Sequence, residues 1–401
     1  MEEAEKGEVF ERNTKPWLDS HPGETSDAAG VFTDDIILEI LSRLPARSVH
    51  RFKCVSVPGR DLITDPANRK KLPQALAGFL YMSFRSVHHH HFASVSGGAA
   101  PFDPSVPYLQ PNKYKDMEQV DACNGLLLYR GCTKNLPPWD WKEDDCRFVV
   151  CNPATGSWVE LPPQPQLQEP VKGRSRVAGL AFDPTVSSHF HVLRFEEADS
   201  SSVTGVSIYS SRTGAWSHRD RAMAEEVTLS YSTRCIFAGG VLYLMGSLQS
   251  TNNDHVLLAV DMAGKVWKTI SVPYPRRFAM IGSSQGCLHY AIASVSDNNN
   301  ILVSKIELWC LKDCDSKEWV LKHTASIDKI MGMTMKNYRV IGIHPDCNTI
   351  FLVPCGGHTL LPYDMQHQKV GCILNLEKNS TQRFLPYVPL FSESLADANG
   401  R

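Results

Sequence analysis

One short hairpin returns five times between residues 152 and 370. It reads Asn152-Pro153-Ala154-Thr155-Gly156-Ser157-Trp158, then recurs from Ser210 to Trp216 and from Asp261 to Trp267. A fourth copy, Asp313 to Trp319, lacks the turn glycine, and a fifth, Asp364 to Val370, has Val in place of Trp. The last residues of successive copies lie 58, 51, 52 and 51 positions apart. Each copy is preceded by strand-like runs such as Leu126–Tyr129, Val206–Tyr209, Val241–Leu244, Val256–Val260 and Ile350–Val353. A period near 50 residues with about four strand signals per repeat predicts the blades of a β-propeller. A four-stranded sheet has two faces to cover, and a ring of such sheets covers each face with its neighbour. No long amphipathic helix separates the runs, which argues against α/β layering.

Five units follow, at about 121–162, 177–218, 234–273, 278–325 and 338–376. Strand-like Phe79–Phe84 and Phe384–Phe391 lie outside them. Pairing these two ends would build a sixth blade and remove the open sheet edges. The expected fold is therefore mainly β: a propeller of about six blades over 78–392, preceded by a small all-α module.

That module occupies 31–75. Thr33 can cap a helix, with Asp34 and Asp35 in its first turn, where the helix dipole favours negative charge. Ile36, Ile37, Ile40, Leu41 and Leu44 then form an apolar stripe that Pro45 ends. Ser48 can cap a second helix with Val49, Phe52 and Val55, and Asp65-Pro66 opens a short segment running to Leu72. Residues 1–30 carry eight acidic and three basic side chains with no sustained period, and are expected to be a disordered tail. Residues 393–401 are expected to be a flexible tail.

Composition narrows the function classes. Hydrophobic residues are 42% and charged ones 21%, enough apolar surface for a large core. Lys+Arg is 41 against Asp+Glu 43, so there is no electrostatic case for nucleic acid or an anionic membrane. No apolar run approaches the roughly 18–20 residues of a membrane span. Met1 to Asn13 is charged and lacks the apolar stretch of a secretory signal. The 12 Cys are scattered without a CxxC pair and are expected to be reduced, mostly buried thiols, with the chain in the cytoplasm, the nucleus or both.

The helical module resembles the F-box, on Phe32-Thr33-Asp34-Asp35-Ile36-Ile37-Leu38-Glu39-Ile40-Leu41-Ser42-Arg43-Leu44-Pro45, then Val49 and Arg51-Phe52-Lys53-Cys54-Val55-Ser56. Two departures stand out. Phe32-Thr33 replaces the usual Leu-Pro, and Val57-Pro58-Gly59-Arg60 replaces Lys-x-Trp-Arg. Pro58-Gly59 disfavours continuous helix there. The β part resembles the F-box-associated domain of plant F-box proteins, kelch-like in architecture. The matching stretches are Cys123-Asn124-Gly125-Leu126-Leu127, Cys151 to Gly156, Asp183-Pro184, Tyr209-Ser210-Ser211, Ile343-His344-Pro345 and Tyr387-Val388-Pro389.

The resemblance implies a substrate-recognition subunit of a Skp–cullin–F-box ubiquitin ligase, without catalysis or cofactor of its own. It implies an adaptor-binding surface at Phe32, Asp34, Ile36, Ile40, Leu44, Pro45, Val49, Phe52 and Val55, with a cullin reached through the Skp adaptor and a protein substrate on the propeller. A unit of about 40 residues has little core, so some of these apolar side chains should stay exposed unless a partner covers them. Two other readings compete. One is a scaffold whose F-box no longer binds the adaptor, suggested by Pro58-Gly59. The other is a propeller enzyme or glycan-binding lectin.

Several motifs invite chemistry. His88-His89-His90-His91 could ligate a metal, but strand neighbours point to opposite faces, so a loop or strand-end tract is expected. Gly282-Ser283-Ser284-Gln285-Gly286 fits a nucleophile elbow, yet strand-like Cys287–Ile292 follows instead of a helix. Cys310 and Cys314 lack enough local ligands for a metal. The repeated Trp residues are expected to pack between blades. Asn379-Ser380-Thr381 matches a glycosylation acceptor without meaning in the expected compartment.

Overall fold

The computed structural model describes residues 32–44, 49, 52, 55–65, 68, 72, 76–84, 87–95, 97–109, 113–142, 145–164, 177–198, 202–229, 234–250, 254–274, 279–295, 303–326, 338–354, 357–371, 374–376 and 380–390. The tails expected at 1–30 and 393–401, Pro45 and Ser48 lie outside these residues. Among these residues two short helices, α1 (Asp34–Ser42) and α2 (Val57–Thr64), precede a six-blade β-propeller.

The strands β1 (Gly78–Phe84) and β2 (His88–Ser94) open the ring. The first full blade holds β3 (Asp116–Cys123), β4 (Leu126–Cys132), β5 (Cys146–Asn152) and β6 (Ser157–Glu160) in that spatial order. The next holds β7 (Ala178–Ala181), β8 (His191–Glu197), β9 (Val203–Ser210) and β10 (Ala215–Asp220). The third has β11 (Val227–Leu229) and β12 (Cys235–Ala238), both pairing β13 (Val241–Leu248), then β14 (His255–Asp261) and β15 (Trp267–Ser271). The fourth holds β16 (Met280–Ser284), β17 (Cys287–Val295), β18 (Val303–Leu311) and β19 (Trp319–Ser326). The fifth holds β20 (Tyr338–Ile343), β21 (Thr349–Pro354) and β22 (Thr359–Asp364), with β23 (Lys369–Val370) and β24 (Leu374–Asn375) both pairing β22. Finally β25 (Ser380–Tyr387) joins β1 and β2 in a three-stranded sixth blade.

The two ends of the chain close the ring as the leftover strand signals predict. Gly78, Phe79, Leu80 and Tyr81 pair with Tyr387, Pro386, Leu385 and Phe384. The innermost strands β3, β7, β12, β16, β20 and β25 each touch the next, and β25 returns to β3.

Burial follows the same circuit. Six apolar clusters sit between successive blades, each drawing side chains from two of them. Alternation along one strand feeds two clusters. Phe79 and Tyr81 pack with Ile341, Phe351 and Val353 of the fifth blade, while Leu80 packs with Leu127, Tyr129 and Val149 of the first. This is why the strands read as near-continuous apolar runs: both faces are inside.

The tryptophans pack at these blade junctions. Trp216 Nε1 donates to the Pro162 carbonyl at 2.8 Å and Trp319 Nε1 to the Ser271 carbonyl at 2.9 Å, each reaching the preceding repeat. Trp267 instead donates to Gly264 of its own hairpin. The hairpins share a local logic at their first residue. Asn152, Asp261, Asp313 and Asp364 each accept backbone N–H groups from the turn that follows, the behaviour that favours Asx residues in turns.

Candidate interaction surface

Helix α1 begins after Thr33, whose backbone is extended as a cap requires and whose carbonyl accepts Ile37 N–H at 3.0 Å. The Thr33 hydroxyl makes no cap bond, contrary to the sequence expectation. The apolar stripe also turns out rotated. Leu38 and Leu41 face inward with Val49, Ile63 and Leu72, while Ile37, Leu44, Phe52 and Leu62 pack partly against them. Ile36 and Ile40, one helical turn apart and so on one face, stand outward at 44% and 49% exposure.

The nine candidate adaptor residues therefore divide. Phe32, Asp34, Ile36, Ile40 and Val55 are exposed. Leu44 and Phe52 are half-buried, Val49 is buried in the helical core, and Pro45 lies outside the described residues. Val57 was not singled out in the sequence and is also exposed, at 61%. Its position beside Pro58 read as a broken helix, and that reading is corrected by the structure.

Pro58 does not break α2 because it sits in the first turn, where its missing N–H has no intrahelical partner to lose. Ser56 caps the helix by accepting Gly59 N–H at 3.1 Å. Gly59 in turn lets the Phe52 ring lie against the helix: a Cβ there would come within 2.8 Å of Phe52 Cε1. Lacking the family's Trp, this unit seats Phe52 on a glycine. The segment after Asp65 starts as its sequence suggests, with Asn68 N–H on the Asp65 carbonyl, and Leu72 joins the core.

The tempting motifs resolve as structure. The histidine tract forms the first half of β2, paired with Phe84–Tyr81, rather than a loop or strand end. His88 Nδ1 bonds Asp116 Oδ2 at 2.8 Å, and His91 Nε2 contacts Ser83 Oγ at 2.8 Å. His90 stands edge-on to Tyr129, and burial followed by the neighbouring His88 lowers its imidazole to about 4. Among the described residues no group of three or more His, Cys, Asp or Glu side chains could hold a metal. Ser284 ends β16, Gln285-Gly286 turn the chain with positive φ, and Cys287 starts β17, so the motif is a hairpin. Cys310 lies in strand β18 and Cys314 in the turn after it. The described cysteines are all free thiols, and burial pushes several of them upward, Cys146 to about 11.

A small helical unit with outward apolar side chains thus precedes a closed six-blade propeller. The family model described as F-box protein At3g26010-like, beta-propeller, matches residues 102–388. The chain belongs to that family of plant F-box proteins with a propeller domain. It is 24% identical over 331 residues to the F-box protein At5g07610 of Arabidopsis thaliana, covering 77% of this chain and 74% of the relative. It is 28% identical over 349 residues to the F-box protein At5g65850 of the same plant, covering 83% and 80%. Among solved structures, a chain of a nidogen/laminin complex aligns over 78% of this chain and 98% of its own length, at 8% identity and a TM-score of 0.40.

Proposed function

We propose that this chain is the substrate-recognition subunit of a Skp–cullin–F-box ubiquitin ligase. The helical unit docks on the Skp adaptor, and through it a cullin, while the propeller holds a target protein. The observation that carries this reading is the outward placement of Ile36 and Ile40 on a unit whose own core is complete without them. Exposed aliphatic side chains on a folded surface mark a site for a partner. The relatives' description as F-box proteins supports it. In this role the chain contributes proximity, holding a target near the ligase's transfer chemistry. A cytoplasmic or nuclear site of action accords with it, and no described helix is long and apolar enough to cross a membrane.

The scaffold reading drew on Pro58-Gly59 as a broken helix. With α2 intact and capped, that motive is gone. The helical unit and the propeller are proposed as separate functional domains, at 31–75 and 78–392.

The test is binding of purified full-length chain to the Skp adaptor. Ile36→Asp/Ile40→Asp should reduce affinity at least 100-fold, because two carboxylates would be forced into an apolar contact. Both positions are exposed, so the melting temperature should stay within a degree or two of wild type. Undiminished binding by a folded double variant would refute the proposed surface.

A further inference from the structure

Two cysteines stand directly opposite each other in the first blade. Cys132 ends β4, Cys146 opens β5, and the register pairs them. One residue beyond this pair, Thr133 N–H donates to the Asp145 carbonyl at 3.0 Å. In an antiparallel ladder that bond makes Cys132 and Cys146 a non-hydrogen-bonded pair, the class whose Cα atoms lie about 4.5 Å apart and whose side chains are closest. Opposite residues also share a sheet face. Both thiols accordingly join one small buried cluster with Trp141, from the connection between β4 and β5. No other strand pairing among the described residues sets cysteine against cysteine.

The spacing suits a disulfide, whose Cα atoms span about 4.4–6.8 Å, and it lies at the short end of that range. A bond made there is strained and correspondingly easy to reduce. Access to the two sulfurs is unequal: Cys132 is fully buried, whereas Cys146 keeps 8% exposure. Trp141 is held beside them, its Nε1 on the Leu136 carbonyl at 2.8 Å and its ring centroid 5.6 Å from the Arg130 guanidinium. Such a cover favours a small oxidant. Burial pushes Cys146 up to about 11, with Arg130 opposing and Cys132 adding, so little thiolate is present near neutral pH and oxidation is slow. We propose that Cys132 and Cys146 form a reversible disulfide under a small peroxide, a modification site independent of the adaptor surface. The Cys146 sulfur attacks one peroxide oxygen as the O–O bond breaks, giving a sulfenic acid, and the departing hydroxide leaves as water with the thiol proton. The Cys132 sulfur then attacks the Cys146 sulfur, the S–O bond breaks, and the second hydroxide takes the Cys132 proton. Two thiols are oxidised, one peroxide is reduced to two waters, and the new bond ties the end of β4 to the start of β5.

Hydrogen peroxide is the probe. The folded full-length chain is treated at pH 7.5, its remaining thiols are alkylated, and the digest is mapped without reductant. A linked peptide pair should join Cys132 to Cys146, two hydrogens lighter than the separate peptides, and should exceed every other cysteine pairing at least tenfold. Unfolding in urea before the peroxide should transfer that preference to cysteines closer in sequence, such as Cys146 with Cys151 and Cys310 with Cys314, because the folded register sets it. Reduced glutathione should reopen the bond and return both residues to alkylation. Peroxide that leaves Cys146 unmodified, or takes it to sulfinic acid without a link, would overturn the proposal. So would a link to any other cysteine, a preference for Cys132–Cys146 that survives unfolding, or a bond that glutathione does not reopen. The wild-type map decides the matter without any variant.

Discussion

His90 shows how a residue that looks like chemistry becomes a stability term. Its ring packs edge-on to Tyr129, its Nδ1 finds no partner among the described residues, and His88, Asp116 and His91 are the charged or titratable groups around it. An imidazole held near 4 in the native state but titrating near 6.5 when unfolded binds its proton more tightly in the unfolded chain. Stability from this group is therefore complete above about pH 6.5 and is lost as pH falls toward 4. Between pH 7.5 and pH 5 the loss should be about 2 kcal/mol. Urea unfolding of His90→Gln should show an acid limb flatter than wild type by that amount. Parallel limbs would show that His90 is not its source. The tract's strand character was not legible in the sequence, because four consecutive polar rings give no period. The structure supplies the missing terms: Asp116 and Ser83 satisfy two of the rings, and Tyr129 covers a third. The rotation of α1 was illegible for a related reason. With Ile36, Ile37, Leu38, Ile40 and Leu41 all apolar, the stripe alone does not say which side faces the core.

At the scale of the element, the recurring hairpin was the most legible feature, and its exceptions are informative. Gly156 and Gly214, at the fifth position of the first two copies, have φ of 75° and 66°. The copies without glycine keep the same backbone: Lys317 has φ 55° and Gln368 φ 54° at that fifth position. The turn geometry thus outlasts the residue that suits it, because the flanking strands and the leading Asp fix the chain on both sides. A side chain in the left-handed region costs about 1–2 kcal/mol, partly offset by the entropy glycine loses on folding. Lys317→Gly and Gln368→Gly, both at exposed positions, should each stabilise the protein by about 0.5–1 kcal/mol in urea unfolding. Gly156→Ala should destabilise by about 1 kcal/mol through backbone strain alone, since a Cβ there meets nothing within 4 Å. No gain for either glycine would mean that the turns relax without strain. The divided strands of the third and fifth blades escaped the sequence reading. Val227–Leu229, Lys369–Val370 and Leu374–Asn375 are too short to carry a period.

At the scale of the whole molecule, closure by the two ends makes each blade depend on β25 and the residues just after it. β25 supplies Phe384 to the cluster shared with the fifth blade, and Leu385 and Tyr387 to the one shared with the first. Beyond it, the Leu390 carbonyl accepts Asn152 Nδ2 at 2.9 Å, a further tie to the first blade. Deleting residues 380–401 should lower the melting temperature of the entire propeller or cause aggregation, because it exposes two blade faces and an edge. Deleting residues 1–30 should leave melting nearly unchanged, and a C-terminal deletion that melts like the full chain would refute closure as a stabilising device. Closure was legible because five hairpins left two unclaimed strands, one at each end. What the propeller holds was not, because loops, where contacts with a target are expected, carry no periodic signal. The central claim is that one chain joins a target on its propeller to an adaptor on its helices. The direct measurement is quantitative ubiquitin-remnant proteomics in plant cells with the proteasome inhibited, comparing the wild-type chain with Ile36→Asp/Ile40→Asp. The account predicts that both forms retain the same propeller-bound protein, and that only the wild type raises its ubiquitination. Equal ubiquitination of that protein by both forms would contradict it.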